Sequence, residues 1–172
     1  KAIYKANISE RVVGRHIAPH AIDVAALWAV LTRMRRNESK EFPEDVREVV
    51  DSLTPMEKLR LYDNGEVPSR LTTREARELR HILRDLHRQV SRGIHYEGIK
   101  GASAREIRSV LLNAAYHEEY QYLSPLAVFS EIESVLEAKT VYDFLKQEAK
   151  DGYHDHAGFL EQVRELFTQW TD

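Results

Sequence analysis

Apolar residues recur along most of the chain at three- and four-residue spacing, and strict apolar–polar alternation is almost absent, so the pattern predicts helices rather than strands. Residues 22–31 are apolar nearly all round, which predicts a central, buried helix. Arg33, Arg35 and Arg36 close it, as cations near a helix C-terminus should. After a polar break at 39–42, Pro43 at N1 with Glu44 and Asp45 behind it opens a short helix through Val50. Thr54-Pro55-Met56-Glu57 reads as a capping box with Pro at N1, and its helix ends before the turn dipeptide Asn64-Gly65. Thr72 to Glu75 opens the longest helix, to about Val90, and residues 91–102 form a loop. Ser103 and Glu106 make a second capping box, with Ile107, Val110, Leu111 and Ala114 on one face of a helix reaching about His117. Ser124-Pro125 starts the next, with Phe129, Ile132, Val135 and Leu136 inward. Thr140-Val141-Tyr142-Asp143 predicts a further helix to about Lys150, broken by Asp151-Gly152. A last helix carries Phe159, Val163, Leu166, Phe167 and Trp170.

The fold class is therefore all-α, a helical bundle. We divide it at first reading into residues 1–120 and a C-terminal helical extension, 121–172, packed on the first part. At 172 residues, 42% apolar and 31% charged, the chain has an ordinary globular composition. A net charge of −3 argues against a dedicated nucleic-acid binder. With no cysteine there is neither a disulfide framework nor a thiolate zinc site. No apolar run is long enough to span a bilayer, so a cytoplasmic protein with no membrane contact is expected. The chain opens without Met, and we read it as a piece of a longer protein.

Candidate chemistry begins at Arg105. With Ser103 as N-cap, Arg105 stands at N2, where the helix macrodipole favours an acid. A free helix N-terminus beside a guanidinium suits an anion, above all phosphate. Read instead as a surface residue near a cap, Arg105 needs no ligand. A second feature is an arginine stripe. Arg70, Arg74, Arg77, Arg80, Arg84, Arg88 and Arg92 recur at helical spacing, opposite Leu79, Ile82, Leu83, Leu86 and Val90. The stripe reads either as the solvated face of an amphipathic helix, flanked by Glu75, Glu78 and Asp85, or as a surface for an acidic or phosphate-bearing partner.

Other signals fail. Gly93 to Gly98 has the glycine spacing of a P-loop, but Ile99 and Lys100 follow where Lys and Ser/Thr are required. No kinase catalytic signature and no serine nucleophile elbow is present. His154-Asp155-His156 lacks a third metal ligand and reads as a turn before the last helix. His16 and His20 flank Pro19 and read as structural, and His81 and His87 lie on different helix faces. No metal site is expected.

Gly101-x-Ser103-x-Arg105 resembles the sensor 2 motif of AAA+ ATPases, in which an Arg at the start of a lid helix reaches the γ-phosphate of ATP. The ordered strings His16-Ile17-Ala18-Pro19-His20, Trp28 to Arg33, Tyr96-Glu97-Gly98, Gly101 to Glu106, Leu123 to Val128 and Gly152-Tyr153-His154-Asp155 resemble the PrkA family of AAA+-type serine protein kinases. The resemblance implies an AAA+ lid-like bundle with additional C-terminal helices. It implies that Arg105 contacts nucleotide, supported by Ser103, Arg108 and Lys100, with no catalytic residue in this chain. It implies ATP and Mg in the full-length protein and neither in the fragment alone. The implied partners are the protein's own AAA+ core domain, further copies of itself and a protein substrate. A simple lid has fewer helices before its sensor 2 helix than this chain has, so either the region from Thr54 to Arg92 is an insertion or the motif sits in a different helical domain. Without the resemblance, the alternative is a non-catalytic interaction module whose Arg74, Arg77, Arg84 and Arg88 bind an acidic partner or nucleic acid. A purely structural helical spacer explains the caps but not Arg105.

Overall fold

A computed structural model describes residues 2–37, 39–91 and 100–172. The P-loop-like string at 93–98, Arg92, and Tyr96, Glu97 and Gly98 of the resemblance lie outside these, as do the side chains of His87 and Val90. The helices in chain order are α1 (Ala2–Asn7), α2 (Glu10–Val13), α3 (Ala21–Arg33), α4 (Glu44–Ser52), α5 (Pro55–Asn64), α6 (Thr73–Ser91), α7 (Ala104–Ala115), α8 (Pro125–Glu137) and α9 (His156–Thr171), with 3-10 turns at Ser39–Glu41 and Asp143–Lys146. Among the described residues only two isolated bridges resemble sheet pairing, so the chain is all-α. No described helix is long and apolar enough to cross a membrane.

The chain forms two compact units. The first holds the residues through Thr32, Lys100–Glu148 and Asp155–Asp172; the second takes the chain from Arg33 onward between those parts, with Ala149–His154. The first division we drew, at residue 120, falls inside the first unit, between α7 and α8, which pack on each other. The stretch read as an insertion lies in the second unit.

In the first unit, α3 is buried nearly all round, as its composition predicts. Trp28 has no exposed surface, and its indole N–H donates to the His156 carbonyl at 3.0 Å. Phe144 packs edge-on against the Trp28 ring, His156 edge-on against Phe144, and Phe159 edge-on against His156. Helices α7 and α8 add Ile107, Leu111, Val128 and Ile132, and α9 adds Phe159 and Val163. The His16 and Leu123 strings meet backbone to backbone: Ala18 N–H donates to Leu123 O at 2.9 Å, and Leu123 N–H to His16 O at 3.1 Å.

The second unit has its own core, built from Phe42, Val46, Val49, Val50, Leu53, Leu61, Leu79, Ile82 and Leu86. The Thr54–Glu57 box closes in both directions, and Gly65 ends α5 with φ 74°, the left-handed conformation a glycine adopts without strain. Pro43 sits one position earlier than predicted, at the N-cap of α4, where it has no side-chain acceptor to offer.

Two differences from the sequence reading are larger. The helix predicted from 140 to about 150 is only the turn Asp143–Lys146, in the first unit. Phe144 and Leu145 are buried, but residues 146–150 carry no large apolar side chain to extend a buried face, and a short helix without one does not persist. Helices α1 and α2 were not expected, because both are too short for a periodic signal. The second is set by Ser9, whose hydroxyl accepts from Val12 N–H, and by left-handed Gly14.

Candidate functional site

The start of α7 forms as the sequence predicts. Ser103 Oγ accepts from Glu106 N–H at 3.2 Å, and the Glu106 carboxylate accepts from Ser103 N–H at 2.5 Å. One residue earlier, the buried Ala102 N–H donates to Thr32 Oγ1 at 2.9 Å, and that hydroxyl donates to Ala29 O at 2.8 Å. The loop entering α7 is thereby tied to the last turn of α3. Ile107, Val110, Leu111, Ala114 and Ala115 bury the other face of α7. Both ends of the capping box are fixed, and the helix start is pre-organised.

The box uses the N–H groups of Ser103 and Glu106. It leaves those of Ala104 and Arg105, in the first turn, without an acceptor among the described residues. Arg105 and Arg108 lie one turn apart, both exposed, and neither side chain has a hydrogen bond or ion pair among the described residues. Lys100 is exposed in the bend before the box. Ser103 differs from the other three, because its hydroxyl is committed to the cap. These groups form a donor-only surface: two backbone N–H groups at the positive end of a helix and three cations. Such a set fits phosphate oxygens. Among the described residues it does not fit a metal ion, since the Glu106 carboxylate is held in the box.

The arginine stripe divides. Arg70 does not lie on α6 at all. It precedes the helix and binds Glu57 and the end of α4. Arg74 pairs with Glu78 at 2.8 Å, and Arg88 with Asp85 at 3.5 Å. Arg77, Arg80 and Arg84 are exposed and have no ion pair or hydrogen bond among the described residues.

The histidines take local roles. His16 Nδ1 lies 2.7 Å from Glu10 Oε1, whose carboxyl is held below its ordinary value first by the Ile17 N–H and then by His16. His20 sits beside Asp23 at 3.3 Å and against the Trp170 ring. His156 Nε2 donates to the buried Phe144 carbonyl, and Asp155 caps α9 by accepting from Gly158 N–H at 3.0 Å. Among the described residues no three His, Cys, Asp or Glu side chains gather as a metal site. Sequence reasoning missed Lys58. It is almost wholly buried in the second unit, donates to the Arg35 carbonyl, and lies near the rings of Tyr62 and Tyr153. A Lys within a short polar helix carries no sequence signal of burial.

A family model described as PrkA serine protein kinase C-terminal domain matches residues 56–172. The matched stretch includes α7 and the whole arginine face, and leaves out the His16–His20 string and α3. No curated protein and no solved structure gives a significant match.

Proposed function

The chain belongs to the PrkA serine protein kinase C-terminal domain family, and from that premise we propose that it senses ATP bound to an AAA+ core domain carried elsewhere in the full-length protein. The observation that supports this reading is Arg105, a guanidinium with no partner among the described residues, on a helix start that is locked at its cap and anchored to Thr32. Nucleotide with Mg, held by the core, supplies a γ-phosphate charge that hydrolysis removes.

On this reading Arg105 donates charge-assisted hydrogen bonds to phosphate oxygen, and the Ala104 and Arg105 N–H groups add the field of the helix start. Arg108 and Lys100 raise the local positive potential. Ser103 acts indirectly, by fixing the direction in which α7 begins. The bond to Arg105 draws the helical piece toward the core when ATP is present and releases it afterwards, an order of events common to nucleotide switches. The chain alone then has no ATPase or kinase activity. A cytoplasmic location and assembly with further copies belong to the same reading.

The test is ATP turnover and nucleotide binding by the full-length protein, wild type against Arg105→Ala. Lost turnover with retained folding supports the reading. Unchanged turnover and binding sink it.

A further inference from the structure

ATP sensing at α7 makes no use of the arginine face of α6. Five arginines occupy about a third of that helix's circumference, and they are of two kinds. Arg74 and Arg88 are each answered by a carboxylate on the same helix. Arg77, Arg80 and Arg84 are exposed without an ion pair or hydrogen bond among the described residues. At i, i+3 and i+7 they span about 10 Å of helix axis. Three like charges so placed repel one another, and a carboxylate partner relieves that repulsion. Beside them a groove of about 530 Å³ opens within the second unit, lined by Arg77 and Arg80, by the buried apolar side chains Val46 and Ile82, and by Asp45 and Glu78.

We infer that this face docks an acidic protein segment, with carboxylates about one helical turn apart on the three free arginines and one apolar side chain in the groove. The guanidinium fork matches carboxylates in pairs, and the arginines of α6, with no Lys in the helix, fit such pairing better than a diffuse positive field. The groove selects a peptide over nucleic acid. The apolar lining of the groove has nothing to offer a phosphate backbone. Asp45 and Glu78 in the lining leave the groove to the apolar side chain and the partner's carboxylates to the arginines on the helix face. No residue is shared with the ATP-sensing reading, so either can fail alone.

The test is fluorescence anisotropy with the 172-residue chain and a labelled peptide carrying Glu at i, i+3 and i+7 and one Leu. Arg77→Ala/Arg80→Ala/Arg84→Ala should weaken binding at least about tenfold, and Arg74→Ala/Arg88→Ala less than about threefold. Replacing the peptide's Leu by Ser should also weaken it. Thermal melting checks that both variants fold, and Arg77→Gln/Arg80→Gln/Arg84→Gln replaces the alanine variant if that one melts early. Equal losses in the two variants overturn the proposal. So does failure of the wild-type chain to bind, or tighter binding of a single-stranded oligonucleotide than of the peptide.

Discussion

Arg70 holds both carboxylate oxygens of Glu57, Nε to Oε1 at 2.8 Å and Nη2 to Oε2 at 2.9 Å, and the same Nη2 reaches the Ser52 carbonyl at 2.8 Å. One side chain thus joins the end of α4 to the capping box of α5. Burial alone would raise the Glu57 carboxyl, but the Arg70 hydrogen bonds and the Thr54 N–H outweigh it and hold the group below its ordinary value of 4.5.

Arg70→Ala should therefore destabilise the chain by about 1 kcal/mol in urea unfolding, discounted for a partly exposed pair. Arg77→Ala, with nothing to lose, should stay within about 0.5 kcal/mol of wild type. Equal effects would show that Arg70 is an ordinary surface charge.

The same pair sets a pH dependence. A depressed carboxyl contributes stability that is present above its unfolded value and lost as pH falls through its folded value. Wild type should lose stability more steeply than Arg70→Ala below pH 4.5, and the two should converge in acid. Parallel curves would remove Glu57 from the account.

At α7, stability and function should separate. Ser103→Ala removes the cap acceptor and should cost about 1 kcal/mol. Arg105→Glu places an acid where the macrodipole favours one, and should be neutral or stabilising by about 0.3–1 kcal/mol in the isolated chain. A destabilised Arg105→Glu chain would mean that the arginine serves the fold.

Much of this was legible in the sequence because caps and amphipathic faces are local. Thr54–Glu57 and Ser103–Glu106 both close as read, and the inward residues of α7 are those the spacing picks out; on α8 Phe129, Ile132 and Val135 are buried as read, while Leu136 is half-buried and Ala127 and Val128 join the core. What was not legible depends on distant residues. Nothing near Arg70 marks it as a partner of Glu57, thirteen positions away, and nothing near Lys58 marks it as buried against Arg35. The division of the stripe into paired and free arginines also depends on rotamers and on where α6 begins, neither of which spacing gives. The likeness in separate strings was readable, but their adjacency was not: the His16 string and the Leu123 string are hydrogen-bonded neighbours.

Trp28 is the test of the first unit's core. Trp28→Ala empties a fully buried site and leaves the His156 carbonyl without its 3.0 Å donor. A loss of about 3–5 kcal/mol is expected, read as a large drop in melting temperature. Trp28→Phe should recover part of it, since the ring is restored but the donor is not. A full recovery would show that the hydrogen bond contributes nothing.

The Gly152-Tyr153 string contributes conformation and burial. Gly152 has φ 80°, and a Cβ there would meet nothing closer than Pro55 Cδ at 4.0 Å. The obstacle to a side chain is therefore the backbone angle alone, and Gly152→Ala should cost about 1 kcal/mol, with Gly152→Asn milder because Asn tolerates the left-handed region. Tyr153 is buried, and its hydroxyl donates to the Leu53 carbonyl at 2.7 Å, at the end of α4. Tyr153→Phe leaves that carbonyl unsatisfied and should cost about 1–3 kcal/mol. In the full-length protein, assayed well below its melting temperature, neither substitution should change ATP turnover. A turnover defect in Tyr153→Phe without a shift in melting would reverse the assignment and put the hydroxyl at a working site.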